Sequence, residues 1–105
     1  MVNEFDENKL KKIIGEKKII IIDFFATWCG PCQMFGPVFE KFSTEYEKKE
    51  IIFAKVDVDK YTDFSADQGV TSIPTIVAYK DGKEFLRFTG FRSLENLKKD
   101  FKTLL

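Results

Sequence analysis

Lys18-Ile19-Ile20-Ile21-Ile22-Asp23-Phe24-Phe25-Ala26-Thr27-Trp28-Cys29-Gly30-Pro31-Cys32 carries an apolar strand into a tight turn holding both cysteines of the chain. The nearly unbroken apolar character of residues 18–25 suits a central strand covered on both faces, the usual setting of parallel sheets in α/β proteins. The run is far too short to span a bilayer. Two cysteines separated by two residues can close a small ring or supply two metal ligands. The chain has two Cys and no His, so a zinc site would have to borrow carboxylates or a second copy, and no metal is expected. A ring this short constrains the unfolded chain little and is a poor structural staple. The pair therefore points to redox chemistry.

Working outward, Val2 to Phe5 predicts a short strand. Asp6 is a suitable N-cap for a helix with Leu10, Ile13 and Ile14 on one face and a stop at Gly15. Beyond the cysteines, Phe35, Val38, Phe39, Phe42 and Tyr46 recur at three- and four-residue spacing, which predicts a helix from Cys29 or Gly30 to Lys48 with one buried face. Pro37 falls inside it and should kink the axis, because the bond to the Gln33 carbonyl is lost. Ile51 to Val58 reads as a strand, Asp59 to Gln68 as a short helix closed by Gly69, and Thr75 to Lys80 as a further interior strand. Asp81-Gly82 signals a hairpin to Glu84–Phe88. Ser93 caps a last helix with Leu94, Leu97, Phe101 and Leu104 on one side. The order is β-α-β-α-β-α-β-β-α, an α/β fold with a mixed central sheet and helices on both faces.

At 105 residues and 44% hydrophobic, with twelve Phe, the chain is expected to form a single domain over 1–105 that buries a core without disulfide help. Seventeen basic and seventeen acidic residues cancel, so no global field attracts nucleic acid or an anionic membrane. The acidic start, Met1 to Glu7, lacks a secretory signal pattern. Met1 reads as the natural beginning, and a reducing cytosol is the expected compartment.

The stretch Asp23-Phe24-Phe25-Ala26-Thr27 before Trp28-Cys29-Gly30-Pro31-Cys32, Ser72-Ile73-Pro74-Thr75, Lys80-Asp81-Gly82 and Thr89-Gly90 stand in order along the chain. With these motifs the sequence resembles the thioredoxin family over essentially its whole length, which implies a thioredoxin fold and protein-disulfide reduction. At the start of a helix, unpaired N–H groups and the dipole favour a thiolate on Cys29 by about 0.3–2 kcal/mol, or about 0.2–1.5 pKa units. Cys29 is then the nucleophile, expected to be exposed, and Cys32 the buried resolving thiol. Gly30 admits a substrate backbone, and Pro31 fits a first helical turn, where its missing N–H costs little. Pro31 also adds no charge beside the thiolate, which favours a reductant.

Taken alone, Asp23 at a strand end faces solvent more often than not. The resemblance instead implies a buried carboxylate that exchanges a proton with the resolving thiol, with Lys55 nearby. Lys55 by itself reads equally well as a snorkelling surface lysine. The resemblance further implies a cis Pro74, backbone pairing of Ile73 with an extended substrate segment, and a docking surface of Trp28, Ile73, Pro74 and Gly90. No cofactor is expected to be bound. Electrons are expected from NADPH through a thioredoxin reductase, a separate flavoprotein, with peroxiredoxins and ribonucleotide reductase among the acceptors, and the chain is expected to be a monomer. Gln33 and Phe91 depart from the basic and small residues common in the family. Two other readings are a secretory oxidase or isomerase, disfavoured by Gly30-Pro31, and a docking subunit of a larger assembly.

Overall fold

The computed structural model describes residues 1–16, 18–47 and 49–104. Its elements are β1 (Val2–Asn3), α1 (Glu7–Gly15), β2 (Ile19–Phe25), α2 (Gly30–Glu45), β3 (Ile51–Asp57), α3 (Thr62–Asp67), β4 (Thr75–Lys80), β5 (Lys83–Thr89) and α4 (Leu94–Asp100). The sheet order is β1-β3-β2-β4-β5. β3 runs parallel to β1 and β2, whereas β4 is antiparallel to both β2 and β5. β2 thus occupies the centre, as its apolar run requires.

Alternation along the strands feeds two cores. On one face Ile20, Ile22 and Phe24 meet Leu10 and Ile13 of α1 and Phe64 of α3. On the other, Ile21, Phe53 and Ile76 meet Phe35, Phe39 and Phe42 of α2, with Leu97, Phe101 and Leu104 from the end of the chain. Each such side chain, fully buried, contributes about 1.5–3 kcal/mol. The stripe of α2 therefore fastens the cysteine-bearing helix firmly to the sheet.

Local chemistry sets the boundaries. The Asp6 carboxylate accepts from Lys9 N at 2.8 Å and starts α1. The Ser93 hydroxyl accepts from Asn96 N at 3.2 Å and starts α4. Asp81 and Gly82 have φ of 53° and 83°, the paired left-handed conformation that a two-residue hairpin needs.

β2, β3 and β5 differ from expectation by one residue at one or both ends, and other boundaries differ by more. β1 stops at Asn3, since residues 4–6 lead into the α1 cap. α2 ends at Glu45, and the expected terminus, Lys48, lies outside the described residues. The helix is continuous through Pro37, which is exposed. α3 spans six residues rather than 59–68. There, the Asp57 side chain accepts from Asp59 N at 2.9 Å and its carbonyl accepts from Lys60 N and Tyr61 N. This local turn satisfies the backbone and delays the helix. α4 ends at Asp100, yet Phe101 and Leu104 still reach the core through a final turn closed by Leu104 N and the Phe101 carbonyl at 2.9 Å.

Candidate active site

β2 delivers the chain to the edge of the core, where Ala26, Cys29 and Cys32 pack with Phe25, Val58 and Ile73. Cys29 is the N-cap of α2, with φ −86° and ψ 114°, and its Sγ accepts from Cys32 N at 3.2 Å. Pro31 occupies the first turn, where an N–H has no helical acceptor. Cys29 and Cys32 form a disulfide with Cα atoms 5.2 Å apart. Contrary to expectation, Cys29 is buried at 6% exposure, close to Cys32 at 4%. Its sulfur is turned inward to reach Cys32 and lies 3.9 Å from the Ile73 carbonyl oxygen, which covers it. Attack on a substrate therefore requires opening of the ring as well as deprotonation.

Asp23 sits in mid-strand, flanked in register by Lys55 of β3 and Ile76 of β4. It is 3% exposed, and its Oδ1 has no hydrogen-bond partner. Burial pushes the carboxyl up to about 7, and the nearby Lys55 charge offsets this only in part. Lys55 is half-buried, and its Nζ lies 5.6 Å from the centre of the Phe25 ring. It is a neighbouring charge rather than a contact partner of the carboxylate among the ion pairs of the described residues. A hollow of about 260 Å³ is lined by Asp23, Cys32, Gln33, Gly36 and Lys55, so the buried carboxyl and the second cysteine share one chamber. The Gln33 amide donates to the Thr27 carbonyl at 2.8 Å at its rim. A larger hollow, about 580 Å³, lies at the other end of the strands among Lys18, Lys49 and Lys80. It includes none of these groups.

Above the cysteines, the Ile73–Pro74 bond is cis. Gly90, with φ of 94°, donates its N–H to the Pro74 carbonyl at 2.8 Å. Trp28 is 70% exposed and its indole N–H donates to Asp59 Oδ2 at 2.7 Å. A groove of about 190 Å³ runs between Trp28 and Val58 on one side and Val70 to Ile73 on the other. The anticipated surface of Trp28, Ile73, Pro74 and Gly90 needs one correction. Pro74 is buried, because its ring precedes a strand inserted in the sheet, and the exposed apolar groups nearby in sequence are Met34 and Phe91. The Phe91 ring packs edge-on against Phe35, with centroids 6.2 Å apart.

The family model for Thioredoxin matches residues 1–103. The chain belongs to the thioredoxin family. A thioredoxin of Coprinus comatus is 46% identical over 90 residues, covering 86% of this chain and 83% of that protein. The solved thioredoxin of Malassezia sympodialis superposes with a TM-score of 0.88 at 35% identity, covering 97% of this chain and 91% of that one. A chain from a structure of the thiol-resolving mechanism in yeast mitochondrial 1-Cys peroxiredoxin via glutathione/thioredoxin systems gives 0.86 at 31% identity, covering 97% and 94%.

Thioredoxins work through their own cysteine pair without a bound cofactor, and this chain is a protein-disulfide oxidoreductase of that kind. No group of three or more His, Cys, Asp or Glu is gathered for a metal among the described residues. None of their helices is long and apolar enough to cross a membrane. Of the anticipated residues, Asp23, Cys32 and Lys55 line one hollow, Trp28 and Ile73 line the groove, and Gly90 is tied to Pro74. Asp59 was missed, although its position in the acidic turn after β3 was a usable signal.

Proposed function

We propose that this chain reduces protein disulfides with Cys29 as nucleophile and Cys32 as resolving thiol. The observation that carries the assignment is Cys29 Sγ at the start of α2, accepting the Cys32 N–H. That hydrogen bond and the helix dipole favour negative charge on this sulfur over the other. In the reduced protein the Cys29 thiolate attacks a substrate sulfur, forming a mixed disulfide and expelling one substrate thiolate. Cys32 then loses its proton and attacks Cys29 Sγ, forming the internal disulfide and expelling the second thiolate. Two electrons have passed to the substrate.

Asp23 is the acceptor of the Cys32 proton. A carboxyl titrating at about 7 in a chamber shared with Cys32 holds and returns a proton near neutral pH. Lys55 tunes it. Gly30 and Pro31 form the turn, and Trp28, Ile73, Pro74 and Gly90 build the docking region, with the Ile73 backbone pairing to an extended substrate segment. Main-chain pairing accepts many sequences, which suits a general reductant.

Residues 1–105 act as one unit in a reducing cytosol, as a monomer. NADPH recharges the pair through a separate flavoprotein reductase. Peroxiredoxins are acceptors, in keeping with the yeast neighbour, and ribonucleotide reductase is another on family grounds. Neither nucleic acid nor membrane is a partner, given the balanced charge.

Equilibration in redox buffers with Trp28 fluorescence as readout tests direction. A potential near about −270 mV, the value general to thioredoxins rather than one obtained from this structure, fits a reductant. One near about −180 to −120 mV replaces this reading with an isomerase or oxidant. Cys32→Ser should accumulate a substrate mixed disulfide on Cys29, seen by mass spectrometry, and its absence removes the assignment of roles.

A further inference from the structure

The segment presenting Ile73 is held at both ends by the β4–β5 hairpin. At its far end, Gly90 N donates to the Pro74 carbonyl. At its near end a side chain, Arg87 of β5, adds to the backbone bond from Val70 N to the Ser65 carbonyl at 3.1 Å. Its Nη2 donates to the Gln68 carbonyl and its Nη1 to the Gly69 carbonyl at 3.4 Å. Glu84 grips the same guanidinium with both oxygens, Oε2 on Nε at 3.1 Å and Oε1 on Nη2 at 2.7 Å. The Gln68 side chain in turn accepts from the Tyr79 hydroxyl at 2.6 Å.

These contacts meet the end of α3, a six-residue helix whose N-cap, Tyr61, makes no side-chain capping bond. So short a helix has little stability of its own. The carbonyls of Phe64, Ser65 and Ala66 already accept from the N–H groups of Gln68, Val70 and Gly69, so Arg87 supplies donors to the two carbonyls just past the helix, where a cation also suits the dipole. Immediately afterwards Gly69 turns at φ 72° and the chain runs along the docking groove to Ile73. A partly exposed ion pair such as Arg87–Glu84 adds little stability by itself. Its fork, however, fixes direction, because two planar N–H groups address two adjacent carbonyls.

We propose that Arg87 is a positioning residue for substrate capture. Oriented by Glu84, it clamps the end of α3 so that the Ile73 backbone is presented for pairing with an extended segment beside the target disulfide. The inference rests on the strand-addition reading of Ile73. Without the clamp the segment samples other arrangements, and apparent affinity falls by the fraction still competent. Arg87 touches neither cysteine, and Ile73, which lies against Cys29 Sγ, keeps its own tie through Gly90 N and the Pro74 carbonyl, so the chemical step is spared.

The test uses pre-reduced protein mixed rapidly with an extended peptide disulfide, a copy of it N-methylated where it would face Ile73, and a small aromatic disulfide, 5,5′-dithiobis(2-nitrobenzoate). Arg87→Ala should raise half-saturation for the unmethylated peptide about tenfold, with the maximal rate and the small-disulfide rate held within about twofold. Arg87→Lys keeps the charge without the fork and should remain near the Ala value. Glu84→Gln and amide exchange at residues 70–73 carry the same test should Arg87→Ala not fold: the first should raise half-saturation and the second should quicken in Arg87→Lys. Unchanged half-saturation in these variants, or an equal loss on the small disulfide, overturns the role of Arg87. If the parent treats both peptides alike, the strand-addition reading falls and this inference with it. A parent that discriminates between them, beside an Arg87→Ala protein with parental half-saturation, removes Arg87 alone.

Discussion

Replacing Asp23 by Asn should make the protein more stable at neutral pH, by an amount that depends on pH in one direction only. The Asp23 carboxyl titrates at about 7 in the fold against an ordinary 3.8, with burial the main cause and the Lys55 charge an incomplete offset. A rise of about three pH units, at about 1.36 kcal/mol each, means that the charged form is disfavoured in the fold by about 4 kcal/mol. Because the folded-state value is raised, the native protein holds a proton that the unfolded chain has released between these two values. The stability associated with this group is therefore complete below about pH 4, declines as pH rises, and is lost once pH passes about 7.

Denaturant titrations of the disulfide form, following circular dichroism, measure this directly. The free-energy difference between Asp23→Asn and the parent should grow by about 1.4 kcal/mol per pH unit between about pH 4 and pH 7, then level off. A buried amide without partners adds a constant offset, which moves the line without changing its slope. A difference independent of pH, or one that grows towards acid, would refute a raised carboxyl at this position.

Lys55→Met removes the one charge that lowers the Asp23 value, so carboxyl carbon chemical shifts should report titration at higher pH than in the parent; a downward move contradicts the pairing. Phe42→Ala should cost about 3–5 kcal/mol in denaturant titrations, since this buried ring meets Tyr46, Phe53 and Phe101 at centroid distances of 5.3, 5.6 and 5.9 Å. A loss under about 1 kcal/mol would mean that the α2 face repacks around the gap.

What was legible in the sequence was what local pattern encodes. β4 has the expected bounds, and Asp81-Gly82 turns as its residue types require. The α2 stripe fills the core because its spacing matches the helical period. α3 was overestimated because a side chain competing for backbone N–H groups leaves the apolar pattern unchanged. Burial of Asp23 could be read only through family likeness: a charged residue in an apolar run looks the same whether it faces solvent or the bottom of a hollow behind the cysteines. The covered state of Cys29 depends on the Ile73 carbonyl, 44 residues away. The Arg87 clamp spans 18 and 19 residues to its carbonyls, a separation at which no helical or strand period operates.

The order β1-β3-β2-β4-β5 leaves β1 and β5 as the sheet margins, and each is guarded differently. β1 is only two residues long, and β5 carries Lys83, Glu84 and Arg87 among its side chains. Short or charged margins discourage uncontrolled association of sheets. A protein that takes hold of other chains by their backbones is exposed to the hazard of never letting go, as in fibrillar aggregation. On the proposed reading, the site for backbone pairing is instead a short loop beside the cysteines, whose reaction would release the captured chain.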